Sequence, residues 1–211
     1  AELGINVYYH TVVGDNPGRI RTAVETAKGR SDLIVTTGGL GPTYDDITKE
    51  TLADSFGLKL VMHEPSLRRI RDFFAGIGRE MTINNEKQAM LPEGCDVFDN
   101  DWGTAPACAF TAGGVSVIML PGPPRECNPL VRERAMPWLR ARMPGTALVS
   151  RVVRIFGMGE SSVEALLKER MEAAQNPTIA PYVKDGEVLL RVTAKAADEA
   201  RAQEMIDPRR V

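Results

Sequence analysis

With 211 residues, 26 Lys+Arg, 28 Asp+Glu and a formal charge of -2, the chain is long enough for one substantial domain or for a domain of common size with a smaller partner. No Lys/Arg stripe with interleaved aromatics runs through it, which argues against nucleic acid as a partner, and no apolar run nears the ~18–20 residues that span a bilayer. No secretory leader pattern opens the sequence, so a soluble cytoplasmic protein is expected.

Residues 1–4 read as the tail of a helix with Gly4 as its cap. Residues 5–13 alternate apolar positions on a β-favouring background and predict a strand, after which Asn16-Pro17 supplies an N-cap and a proline at the first helical position. Ile20, Ala23, Val24 and Ala27 form one apolar stripe on the helix that follows. Leu33-Ile34-Val35 is a continuous apolar run that suits a central strand covered on both faces. It leads into Thr36-Thr37-Gly38-Gly39-Leu40-Gly41-Pro42-Thr43-Tyr44-Asp45-Asp46. A helix is expected to begin near Asp45 or Asp46, with Ile47, Leu52 and Phe56 inward and Gly57 as its cap. Pro65 opens another helix, which gives way to a polar stretch at 84–88. Residues 95–98, 107–111 and 115–120 read as short strands, the last two joined at Ala112-Gly113-Gly114. A helical pattern over 125–143 is interrupted by Pro129 and Pro137, and Met143-Pro144-Gly145-Thr146 is the candidate linker. Beyond it come a strand (150–156), a helix capped by Ser161 or Ser162, two strands (178–183 and 188–194) around Lys184-Asp185-Gly186, and a helix (197–205). The expected fold class is α/β. A doubly wound, mostly parallel sheet occupies residues 1–145, and a second, smaller β-α-β-β-α domain occupies 146–211.

A glycine-rich turn between a buried strand and a helix points backbone N–H groups into one concavity at the positive end of the helix dipole, where a phosphate fits. Glycine at 38, 39 and 41 permits close backbone approach, and Thr36, Thr37 and Thr43 add donors on the rim. Asp45 and Asp46 are one carboxylate more than capping needs. Beside a phosphate they suit a hard divalent ion held by carboxylates, phosphate oxygens and water; the plainer alternative is one helix cap and one solvated acid. Asp15 is expected at the same carboxyl edge of the sheet, where open α/β sheets bind ligands, or else as a cap for the helix at Pro17. Two further loops, Trp102-Gly103-Thr104-Ala105-Pro106 and Leu120-Pro121-Gly122-Pro123-Pro124-Arg125-Glu126, are stiffened by proline and opened by glycine. Arg125 and, less so, Lys49 are candidate phosphate partners, and Asn84, Asn85 and Gln88 offer hydrogen bonds to a base or ribose. Cys95, Cys108 and Cys127 lack CxxC spacing and read as buried free thiols. Neither histidine has a Ser or Cys partner in a nucleophile setting, so covalent acyl transfer is not expected.

The segment Thr37-Gly38-Gly39-Leu40-Gly41-Pro42-Thr43-x-Asp45-Asp46-x-Thr48-Lys49-Glu50 resembles the N-terminal domain of the competence/damage-inducible protein A (CinA) family. The same resemblance continues in order through Asn84-Asn85-x-Lys87-Gln88-Ala89-x-Leu91-Pro92-x-Gly94, Gly103-Thr104-Ala105-Pro106, Leu120-Pro121-Gly122-Pro123-Pro124-x-Glu126, Phe156-Gly157-x-Gly159-Glu160-Ser161 and Asn176-Pro177-Thr178. It implies the molybdopterin-binding-like fold, in which a Thr-Gly-Gly loop and an Arg-Asp-x-Thr segment flank a nucleotide pyrophosphate. Asp46 and Thr48 match that Asp and Thr, and Asp45 stands in place of the arginine.

The implied activity is an ADP-ribose pyrophosphatase yielding AMP and ribose 5-phosphate. Asp45 and Asp46 are the implied catalytic and metal-holding pair, and Asp15, Thr37, Gly38, Gly39, Leu40, Gly41, Thr48, Gly103, Thr104, Ala105, Pro121, Gly122 and Pro123 the implied ligand contacts. The implied ions are a divalent metal (Mg²⁺, Mn²⁺ or Co²⁺) and potassium, with no organic cofactor, in a homodimer. A molybdopterin adenylyltransferase and a non-catalytic pterin- or nucleotide-binding module stand as alternatives. The family's upstream strand with its Gly-Thr-Glu segment has no counterpart in the sequence, so the domain is expected to lack its first strand. No match to the family's nicotinamide-nucleotide amidase domain is found, and no amidase activity is expected.

Overall fold

The computed structural model describes residue 3 and residues 5–142, 147–184 and 187–207. The expected helix tail at 1–4, the linker at 143–146 and the turn at 185–186 lie largely or wholly outside these residues. The chain forms two compact units, one of residues 9–139 and one of residues 140–211 with 1–8.

In the larger unit, α1 (Pro17–Lys28) is capped by Asn16, whose Oδ1 accepts from the Arg19 N–H at 3.0 Å. It leads to β1 (Leu33–Thr37), α2 (Thr48–Ser55), β2 (Leu60–Met62), α3 (Glu64–Gly76), a 3-10 helix (Ile83–Ala89), β3 (Met90–Pro92), β4 (Asp96–Phe98), β5 (Ala107–Ala112) and β6 (Val115–Leu120). The main sheet has the order β1-β6-β5-β4, with β1 and β6 parallel and the other two pairs antiparallel. Gly113 and Gly114, at φ 59° and 81°, make the β5–β6 turn in the left-handed region that a two-residue hairpin requires.

Side chains alternate across this sheet, and the alternation sorts them into two cores. Cys108, Phe110, Val117 and Met119 face α1 and α2 through Ile20, Val24 and Leu52. Ala107, Ala109, Ile118 and Leu120 face Leu130, Ala135 and Trp138. Those three come from the helical run α4 (Pro124–Leu130), a π turn (Val131–Ala135) and α5 (Met136–Arg142). The expected proline interruption is this π turn. Proline 137 has no N–H to offer the preceding turn, and the Met136 N–H donates to the Val131 carbonyl five residues back.

Three local expectations fail. Residues 5–13 form no strand, and Val7, Tyr8, Tyr9 and Val12 are exposed; alternation expresses a strand only against a neighbour that it packs and pairs with. The run Leu33-Ile34-Val35 is not a central strand, because β1 ends the sheet order, and its cover is incomplete: Ile34 and Leu33 pack into the cores on the two faces but Val35 is 50% exposed. The helix after the glycine loop begins at Thr48 with Ile47 at its N-cap, not at Asp45 or Asp46.

In the smaller unit, β7 (Ala147–Ile155), α6 (Glu160–Ala173), β8 (Thr178–Lys184), β9 (Glu187–Ala196) and α7 (Glu199–Met205) form a β-α-β-β-α module with sheet order β7-β9-β8, antiparallel throughout. Val192 and Ala194 of β9 pack on Ala202 and Ile206 at the α7 end. Asn176 brackets residue 195 of β9, donating to its carbonyl at 2.7 Å and accepting its N–H at 2.9 Å. Gly159, with no side-chain cap bond, precedes α6, so neither Ser161 nor Ser162 serves as its cap.

The side chain of Ile118 is fully buried and Val12 is fully exposed. Ile118→Ala should therefore lower the unfolding free energy by about 2–5 kcal/mol, and Val12→Ala should change it by less than about 0.5 kcal/mol. Urea denaturation of the two variants checks the contrast.

Candidate functional site

Strand register brings the three proline- and glycine-rich loops to one sheet edge. The parallel pair ends together, Thr37 opposite Leu120, so loops 38–41 and 121–123 leave side by side. β5 runs antiparallel to β6 with Cys108 opposite Met119, which brings the 103–105 loop, just before β5, to the same edge. Close contacts then fix the loops. The Gly38 N–H donates to the Leu120 carbonyl at 2.9 Å, and a Cβ on Gly122 would lie 3.3 Å from the Gly38 Cα.

The glycine loop is folded around the Asp-x-Thr segment that follows it. Gly38 and Gly39 have φ of 93° and 68°, a region open to glycine. A Cβ on Gly39 would run into the Thr48 hydroxyl, and the Thr48 N–H donates to the Gly39 carbonyl at 3.2 Å. A Cβ on Gly41 would run into the Asp46 carboxylate. Asp46 Oδ2 accepts from the Thr43 N–H at 3.0 Å and from the Thr43 hydroxyl. Partial burial pushes the Asp46 carboxyl pKa up, but the Thr43 hydroxyl, the N–H groups of Thr43 and Gly41 and the charge of Lys87 together hold it below the ordinary value.

These bonds narrow the anion site that the sequence suggests. Gly38 spends its N–H on Leu120 and Thr43 spends its own on Asp46, while the Gly41 N–H lies close enough to that carboxylate to favour its charge. Among the described residues no hydrogen bond engages the N–H groups of Gly39 and Leu40, and α2 starts without a side-chain cap. The Gly39 and Leu40 N–H groups are therefore the loop donors without a partner, and in α2 the first N–H, that of Thr48, is already held by the Gly39 carbonyl. Asp45 is exposed and Asp46 half-buried. Among the described residues no three His, Cys, Asp or Glu side chains gather as a metal-binding group.

Other candidates take different roles. Lys49 is 1% exposed, and its Nζ donates to the carbonyls of Lys87 at 2.8 Å and Gln88 at 2.9 Å, which removes it as a phosphate partner. Asn84 donates to the Pro42 carbonyl at 3.5 Å, Asn85 to the Thr82 hydroxyl at 2.7 Å, and Gln88 Nε2 to the Thr104 hydroxyl at 3.1 Å. These amides shape the site rather than face a ligand. Arg125 is exposed beside the 121–123 loop. Asp15 is exposed, and its expected position at the end of a strand is lost with the strand at 5–13. Cys95, Cys108 and Cys127 are free, Cys108 buried.

Asn100, absent from the sequence motifs, and Glu126, present in them without an assigned role, hold the edge together. Glu126, 8% exposed, accepts from Asn100 Nδ2 at 2.7 Å, and the same nitrogen reaches the Ala105 carbonyl at 2.9 Å. Asn100 Oδ1 accepts the Trp102 N–H at 3.0 Å, and a Cβ on Gly103 would strike the Glu126 carboxylate. A cleft of about 300 Å³ is lined by Gly103 and Thr104 together with Ser66, Arg69 and Phe73 of α3. Arg69 is bound there by Asp101 at 2.6 Å and Asp99 at 3.6 Å.

Residues 1–141 match the family model described as "Probable molybdopterin binding domain", and residues 150–210 match "Damage-inducible protein CinA KH domain". The chain belongs to the CinA family. A CinA-like protein of Dictyoglomus turgidum is 49% identical over 207 residues, 98% of this chain and 50% of that protein. One from Kosmotoga olearia is 51% identical over 208 residues, 99% of this chain and 50% of that protein. The chain thus spans about half the length of these CinA relatives. The crystal structure of the CinA protein of Thermoplasma acidophilum, whose function is unknown, is similar with a TM-score of 0.53 and 36% identity, over 58% of this chain and 72% of that one. Among the described residues no helix is long and apolar enough to cross a membrane.

Burial pushes the Lys49 ammonium down to about 8, against 10.5 for a free lysine, with Glu50 opposing the shift. Between these two values the unfolded chain carries a proton that the folded chain has released, so stability should rise with pH across that window. Lys49→Met should flatten this rise, as read from unfolding free energies measured at pH values spanning it.

Proposed function

We infer that the crevice at this sheet edge binds the phosphates of a nucleotide or pterin, and that the chain carries an ADP-ribose pyrophosphatase site yielding AMP and ribose 5-phosphate. One observation supports the reading above all. The N–H groups of Gly39 and Leu40 have no hydrogen-bond partner among the described residues, in a turn held by Asp46 and Thr48 beside a helix start without a side-chain cap. Such preorganised donors favour the phosphoryl oxygens as charge develops on them. ADP-ribose is chosen as substrate on the motif resemblance of the glycine loop, Thr37 to Glu50, to the CinA family.

A hard divalent ion suits the donors available. Asp45 offers an exposed carboxylate in the turn that precedes α2, and such ions are held by one or two carboxylates with phosphate and water making up the remainder. When bound, the ion neutralises phosphate charge. In this reading Asp45 contacts the ion and Asp46 keeps the turn in shape, with one oxygen committed to Thr43. The 103–105 and 121–123 loops wall the crevice. A second reading, binding without cleavage, is favoured by that commitment of Asp46, because it leaves fewer free carboxylate oxygens for chemistry.

ADP-ribose incubated with the protein and Mg²⁺, Mn²⁺ or Co²⁺ should give AMP, detected by chromatography. Asp45→Asn should cut turnover by roughly a hundredfold without loss of stability. Asp46→Asn should cut turnover and also destabilise the fold by about 1 kcal/mol. Tight ligand binding with no AMP from any metal would replace the pyrophosphatase reading with the binding module.

A further inference from the structure

The 3-10 helix Ile83–Ala89 is tied to the glycine loop from both directions by lysines. From α2, Lys49 sends a buried ammonium to the carbonyls of Lys87 and Gln88, at 2.8 and 2.9 Å. Lys87 answers in the opposite sense. Its Nζ donates to the Thr43 carbonyl at 3.1 Å and to the Asp46 carbonyl, and pairs with Glu50 at 3.5 Å. The same short helix reaches Pro42 through Asn84 and Thr104 through Gln88. One element therefore grips the outer turn of the glycine loop and the 103–105 loop together.

Burying a lysine is costly unless polar groups replace its water, and an apolar residue would fill the interior of α2 more cheaply. What the two ammonium groups add is direction. The Thr43 and Asp46 carbonyls drawn to Lys87 belong to the residues whose N–H, hydroxyl and carboxylate close the turn around the Gly39 and Leu40 amides. The positive charge of Lys87 also lies close enough to favour the ionised form of Asp46, and it counters the negative charge of that carboxylate, which would otherwise repel an anion.

We propose that Lys49 and Lys87 are positioning residues of the anion site. Lys49 fixes the 3-10 helix, and Lys87 fixes the 43–46 turn, so that the Gly39 and Leu40 amides stay aimed at a phosphate that neither lysine holds. The proposal rests on the reading of the glycine loop as a phosphate site. It makes Lys87, half-exposed and outside the glycine motif, a determinant of affinity.

The test uses the whole chain with ADP-ribose as the probe in metal-free buffer, where it is not cleaved, titrated by calorimetry, with wild type, Lys87→Met and Lys87→Arg compared. Lys87→Met should weaken binding roughly tenfold, the worth of one charge-assisted hydrogen bond. Lys87→Arg, which keeps the donors, should bind within about threefold of wild type. In the ligand-free protein, amide exchange over residues 41–46 should be roughly tenfold faster in Lys87→Met while the strands of both sheets exchange unchanged. Lys49→Met should speed exchange in the 3-10 helix as well, and the Lys87 variants decide the matter if that protein does not fold. Wild type that binds no ADP-ribose would overturn the phosphate reading on which the proposal stands. Wild type that binds, with Lys87→Met equal to it in affinity and in exchange, would overturn the positioning role alone.

Discussion

The site depends on a single carboxylate turned back on its own loop. Asp46 Oδ2 accepts two hydrogen bonds from Thr43 and lies where a side chain on Gly41 would have to be. This contact consumes the outer donors of the glycine loop and leaves the inner ones, at Gly39 and Leu40, open. Thr48 does the equivalent for Gly39 from the first position of α2. The anion site proposed here would be made by subtraction: the loop's own acid would occupy what a ligand does not need and stiffen what it does.

The sheet supplies the frame for that contact. A parallel pair that ends at Thr37 and Leu120, with an antiparallel strand entering beside it, brings three loops together that lie far apart in sequence. Cores on both faces of the sheet hold the edge in place. Two polar ties then connect the loops across it, the Asn100–Glu126 bond behind Gly103 and the lysine pair around the 3-10 helix. Each tie buries a charged group against partners that satisfy it, which fixes geometry where apolar packing alone would tolerate sliding.

Much of this was legible in the sequence, for reasons that can be stated. The β5–β6 hairpin announces itself because two adjacent glycines between apolar runs permit few other turns. The glycine loop, the module of the smaller unit and the proline-marked break in the helical run after the 121–123 loop are likewise set by residues next to one another. What was hidden depends on register and on side-chain direction. Asp45 and Asp46 are equivalent in sequence, yet one is exposed and the other is folded into the loop. Lys49 looked like a phosphate partner and is buried, while Lys87, thirty-eight positions further on, reaches the loop. The apparent strand at 5–13 shows the opposite failure, since strong local alternation does not provide the neighbouring strand that pairing requires.

The claim at the centre, that the Gly39 and Leu40 amides receive an anion, is tested most directly by following backbone amide resonances of isotope-labelled protein during titration with AMP and with pyrophosphate. The account predicts large, saturable shifts at Gly39 and Leu40, with a small one at Thr43, whose N–H already belongs to Asp46. Saturation without movement at Gly39 and Leu40, or movement confined to the smaller unit, would contradict it.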